Sequence, residues 1–188
     1  GLPWLIVLDD QGKPLVRQET GSLEEGDHHH PGRVLAFLEK WQAKPVSADR
    51  VMSDALARAS TESKRVFLHF SAPWCGWCKK LDAYLLQPKV AEVFGKAFVS
   101  VKIDVDRMPG GKKIDEKFRG DRPGGIPLFV VLDKAGEKLA DGFDAAGQNV
   151  GFPVTPNEIE HFIQVIKAHG VGLSEKDLTI LSLGLTGE

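Results

Sequence analysis

Cys75 and Cys78 are the only cysteines in the 188-residue chain, and they stand three apart. A pair at this spacing can close into a disulfide or open to a dithiol, so thiol–disulfide exchange is the first chemistry it offers. The reacting species is a thiolate, which attacks one sulfur of a substrate disulfide and forms a mixed disulfide. Two other uses stay open: a two-thiolate metal clip, for which copper(I) is a suitably soft ion, and an inert buried pair. The cysteine count excludes a four-cysteine zinc site and a disulfide-stapled miniprotein. His28, His29 and His30 are consecutive. Successive side chains do not converge on one ion in a regular element, so this run is read as a polar loop before a helix.

The elements that must position the cysteines follow from periodicity. Val51, Met52, Ala55, Leu56 and Ala59 fall at helical spacing, and Arg65–Phe70 reads as a strand. Cys78, Leu81 and Leu85 share one face of a helix starting near Gly76, with Lys79, Lys80 and Asp82 off that face. Pro88 opens another short helix. Phe98 to Val105 alternates, with Val99, Val101, Ile103 and Val105 on one side of a strand. A short helix over 111–119 leads into a Gly/Pro-rich loop that ends at Gly125-Ile-Pro127. Leu128–Leu132 is a continuous apolar run, as in a strand buried on both faces, and Glu137–Phe143 completes a hairpin with it. Pro156 opens a closing helix that places Ile159, Phe162, Ile163 and Ile166 on one face. A strand, a Cys-x-x-Cys helix, a strand, a hairpin and a closing helix make an α/β layer fold.

Ser71-Ala-Pro-Trp-Cys-Gly-Trp-Cys-Lys79 resembles the active-site turn of the thioredoxin superfamily, and Gly125-Ile-Pro127 before an apolar strand resembles that family's cis-proline loop. The resemblance covers roughly residues 47–168, and its Trp-Cys-x-x-Cys-Lys-Lys-Leu string is similar to thioredoxin-like proteins of periplasmic disulfide-reducing and isomerising systems. It implies a thioredoxin-like fold, a central mixed sheet flanked by helices. It also implies that Cys75 is the nucleophile and Cys78 the resolving thiol. Trp74, Gly76, Trp77, Ile126 and Pro127 would meet the substrate, with the backbone of Ile126 pairing to a client strand. His69 is a departure: it stands six residues before Cys75, where the family has a buried acid. An imidazole can relay a proton as that acid does. Lys102 resembles a lysine that accompanies the acid.

The expected function is protein thiol–disulfide oxidoreduction, as reductase or isomerase, at a potential between the reducing and strongly oxidising extremes. The alternative is a non-catalytic module that holds clients or copper through the same thiols. No cofactor and no resident metal are expected. The partners are protein disulfides and an unidentified dithiol or disulfide partner. The net charge of −2 provides no basic field for nucleic acid, and no apolar run approaches the ~20 residues of a membrane span. The resemblance leans towards a periplasmic or secreted location, and a cytosolic one stays open.

A partial internal repeat shapes the domain reading. Residues 1–15 (GLPWLIVLDDQGKPL) match 125–139 (GIPLFVVLDKAGEKL) at seven of fifteen positions. Pro31, Val34, Phe37, Leu38 and Trp41 then parallel Pro156, Ile159, Phe162, Ile163 and Ile166. Residues 1–42 therefore read as the second half of another thioredoxin-like domain, a β-β-α unit. Residues 43–48 are its linker, 49–170 a complete domain and 171–188 a C-terminal tail. The half-domain leaves an apolar strand edge. That predicts an upstream segment completing it or, failing that, self-association through residues 1–42.

Overall fold

The computed structural model describes residues 3–9 and 11–187. Gly1, Leu2 and Asp10 of the repeat, and Glu188 of the expected tail, lie outside the described residues. The chain divides into two units between Lys44 and Pro45.

In the first unit, β1 (Trp4–Leu8) and β2 (Pro14–Glu19) form an antiparallel hairpin. The Asp9 carboxylate ties the turn by accepting from the N–H groups of Gln11 and Lys13. A 3-10 turn over Thr20–Leu23 follows. His28 and His29, expected in a loop, form β4 (His28–His29), which pairs with β3 (Glu24–Glu25). The His30 ring caps α1 (Pro31–Trp41), its Nδ1 accepting from the N–H groups of Gly32 and Arg33. Leu23 and Phe37 are buried here, while Trp4, Ile6, Leu8, Leu35 and Leu38 are exposed.

The second unit is a four-stranded sheet between two helical layers. It runs α2 (Ala48–Thr61), β5 (Arg65–Ser71), α3 (Gly76–Leu85), α4 (Pro88–Ala97), β6 (Phe98–Asp104), α5 (Gly111–Arg119), β7 (Leu128–Leu132), β8 (Lys138–Asp141), α6 (Pro156–His169) and α7 (Glu175–Thr186). The strand order is β6-β5-β7-β8, with β5 and β6 parallel and the other pairs antiparallel. Because side chains alternate along β5, Val66, Leu68 and Phe70 pack beneath α2 and α5. Phe67 packs on the other face, with Leu81 of α3, Phe94 of α4, Phe162 of α6 and Leu181 of α7. His69 therefore points to the layer that contains α3. The central β5 and β7 are covered on both faces, which is why Leu128–Leu132 is buried throughout.

Within the expected tail, Glu175–Thr186 form α7. Ser174 and Asp177 form a capping box that starts α7, and Leu178 and Leu181 are buried against the α4 and α6 layer. The Tyr84 hydroxyl donates to the Leu181 carbonyl, which fixes the helix to α3.

Candidate active site

β5 stops at Ser71, and Ala72-Pro-Trp74 turns the chain so that Cys75 becomes the N-cap of α3. A helix start leaves backbone N–H groups without intrahelical partners, and a cap atom must accept from them. Here that atom is sulfur: the Cys78 N–H donates to Cys75 Sγ at 3.1 Å. The two cysteines are joined as a disulfide, with their Cα atoms 5.3 Å apart. On reduction the same N–H and the helix dipole favour negative charge on Cys75, the condition for a reactive thiolate. Cys78, one turn further in, is fully buried.

Cys75 itself is only 3% exposed. It packs with Ala72 and Cys78 against Val105 and Ile126. Its surroundings are nevertheless open. Apart from its chain neighbours and its own helix backbone, no atom of the described residues lies within 4 Å of a methyl group built on Gly76, and Trp74 and Trp77 are 71% and 49% exposed. Trp74 is held in solvent by its indole N–H, which donates to Asp106 Oδ2 at 2.7 Å.

The Ile126–Pro127 peptide bond is cis. The Ile126 carbonyl oxygen lies 3.4 Å from Cys75 Sγ, and the Ile126 N–H has no hydrogen-bond partner among the described residues. The neighbouring carbonyls are taken. Asn149 Nδ2 donates to those of Gly125 and Pro127, at 2.8 and 3.0 Å. Arg119, paired with Asp115 through two bonds, donates to those of Gly124 and Gly125. Asn149 and Arg119 were missed in the sequence because their partners lie 22 to 24 and 5 to 6 residues away in a loop of irregular backbone. Ile126 is thus presented as an unpaired backbone edge beside the disulfide.

Below the cysteines, buried His69 reaches Asp82: Nε2 stands 3.0 Å from Oδ1. Lys102 Nζ donates to Oδ2 of the same carboxylate. The sequence singled out His69 and Lys102 but set Asp82 off the buried helix face. The structure corrects this. Asp82 is one turn after Cys78, so the two project from adjacent positions on α3, and the carboxylate turns inward to meet His69. The i, i+4 spacing from Cys78 was the signal available. The bond from His69 holds the Asp82 carboxyl below the usual carboxylate range with help from Lys102, against partial burial. Ionised Asp82 can only accept, so Nε2 donates to it, and Nδ1 is the ring's other polar atom. That Nδ1 is buried and has no hydrogen-bond partner. Among the described residues, no three His, Cys, Asp or Glu side chains gather as a metal-binding group.

A strand-to-helix turn capped by a disulfide sulfur, facing a cis-proline loop at one end of the two central strands of a four-stranded sheet, defines a thioredoxin-fold protein. The chain belongs to the DsbH-type thioredoxin family described as "Protein of unknown function, DUF255", whose model matches residues 33–168. It is 29% identical over 145 residues to protein disulfide-isomerase 1 of Caenorhabditis elegans, covering 63% of this chain and 29% of that one. It is 26% identical over 134 residues to the thiol:disulfide interchange protein DsbD of Vibrio cholerae, covering 65% and 20%. The chain thus spans less than a third of the length of these relatives. A disulphide isomerase structure from Xylella fastidiosa Temecula1 superposes with a TM-score of 0.46 at 30% identity, covering 53% of this chain and 76% of that one.

Proposed function

We propose that this chain is a protein thiol–disulfide oxidoreductase, working as reductase or isomerase through Cys75 and Cys78. The observation that supports this most is the Cys78 N–H on Cys75 Sγ, beside an unpaired backbone edge at Ile126. In the reduced protein the Cys75 thiolate attacks a client disulfide. One client sulfur leaves as a thiolate, and the other is held in a mixed disulfide. Ile126 pairs with the client backbone, and Trp74, Gly76, Trp77 and Pro127 frame it. His69 Nδ1 then takes the Cys78 proton, and the Cys78 thiolate attacks Cys75 Sγ. The 75–78 disulfide forms, the mixed disulfide breaks, and the client leaves with two electrons more than it brought. Asp82, held by Lys102, keeps the ring in the tautomer that accepts at Nδ1. A dithiol partner restores the reduced pair. A dithiol–disulfide cycle of this kind suits a periplasmic or secreted location, with a cytosolic one the alternative.

Insulin reduction driven by a dithiol donor tests the reading. Cys75→Ser should abolish turnover, and Cys78→Ser should accumulate mixed disulfides because attack survives and release fails. His69→Ala should slow release about ten- to a hundredfold in stopped-flow traces, with attack less affected. Alkylation mapping that finds Cys78 the more reactive thiol at neutral pH would reverse the assigned roles. Stoichiometric copper binding without turnover would replace the enzyme with a binding module.

A further inference from the structure

Beside the disulfide lies an open cleft of about 340 Å³, sharing Ile126 and Pro127 with the reactive edge. Its far wall is the segment after β8, pinned to the cis-proline loop by Asn149. The Phe152 ring in that wall stacks on Trp77 from the Cys-x-x-Cys helix, with centroids 6.4 Å apart and planes 27° apart. Glu158 is the one charged residue among those that line the cleft. Its Oε2 accepts from the N–H groups of Val154 and Thr155 at 2.9 and 2.8 Å, and Oε1 receives no donor among the described residues. Those two N–H bonds hold the carboxyl below its usual range, so it is ionised at neutral pH. Trp77 already carries a cation: Lys80 Nζ, which does not line the cleft, sits 4.1 Å from the ring centroid.

Aromatic walls and one unspent carboxylate oxygen complement a long apolar stem that ends in a positive head. We propose that this cleft is a subsite for an arginine or lysine side chain that lies within two residues of the client cysteine reacting at Cys75. The proposal rests on the exchange reading above, since a client paired along Ile126 lays its neighbouring side chains over the cleft. It narrows the client class to disulfides flanked by basic residues. An acidic neighbour is repelled by Glu158.

The test uses peptide disulfides that differ only at the residue beside the reacting cysteine: arginine, its uncharged isostere citrulline, and glutamate. The full chain should give kcat/KM about three- to tenfold higher for arginine than for citrulline, with glutamate lowest, and the spread should shrink in high salt. E158Q should bring the arginine-to-citrulline ratio towards one. Glutamine can still accept the two capping N–H bonds, so α6 keeps its start. E160Q removes the same charge from an exposed position two residues along α6 and should leave the ratio intact. A wild-type ratio of one, or a ratio that survives E158Q, overturns the subsite. A small uncharged disulfide reports the chemistry separately: reduction of it with a peptide ratio of one sinks the subsite alone, and reduction of neither sinks the exchange reading with it.

Discussion

The two units contain nearly the same strand in opposite circumstances. Trp4-Leu-Ile-Val-Leu8 forms β1 and Leu128-Phe-Val-Val-Leu132 forms β7, and each is followed by an Asp-based turn whose carboxylate accepts two backbone N–H groups. Every residue of β7 is fully buried, yet Trp4, Ile6 and Leu8 are each more than half exposed. β7 lies between β5 and β8 under helices on both faces, whereas β1 pairs with β2 alone among the described residues. An apolar β pattern therefore specifies a strand and its turn. How much water that strand loses is set by what else packs on it, and with it the ~25 cal/mol per Å² that burial contributes.

The sharpest way to break this comparison is paired truncation. Phe129→Ala removes a ring that packs on Phe67 and Phe162 at 5.5 and 5.2 Å and should cost about 3–5 kcal/mol in urea unfolding. Leu5→Ala, at the matching repeat position, should cost under about 1 kcal/mol. Equal losses would mean that β1 is covered in solution.

The helix starts allow a smaller contrast. α6 begins with a complete capping box between Thr155 and Glu158, and α1 begins on the His30 ring without one. Thr155→Ala should cost about 1 kcal/mol. His30→Ala should cost no more than half as much, read by amide exchange in the first turn of each helix. A larger loss at His30 would show that the imidazole cap is the stronger of the two.

The smallest effect is one of pH. The fold holds the Asp82 carboxyl below its ordinary value through His69 and Lys102. Its contribution is therefore full above the unfolded value of about 3.9 and is lost as pH falls through the depressed folded value. Wild type and Asp82→Asn should differ in urea midpoint at pH 7, and the gap should close below about pH 4. Asp27→Asn, beside exposed His28 in the first unit, should leave the midpoint unchanged. A gap at Asp82 that does not narrow at all as pH falls below about 4 would remove its carboxylate from the account.

The readable part of the site was the part written in contiguous residues. Trp74-Cys-Gly-Trp-Cys78 and Ile126-Pro127 announce themselves by order and spacing, and the β7 run announces a central strand. The supporting groups did not. Asp82 looked solvent-facing because helical spacing assigns a side to a Cα, and a flexible carboxylate at the edge of a buried face can turn either way. α7 was passed over because Leu178 and Leu181 are the only apolar side chains buried along it, too weak a stripe to separate a packed helix from a tail.

Residue order alone determined the cysteine pair and its place at a helix start, the strands around it, and the hairpin and helix of the first unit, because each depends on local backbone preference and short-range periodicity. Only the tertiary structure decided that β7 is dry and β1 wet, that Asn149 and Arg119 leave Ile126 as the open edge, and that Asp82 meets His69. Those outcomes depend on which side chain fills a given volume and which carbonyl lacks a donor, and neither is specified until distant segments pack together.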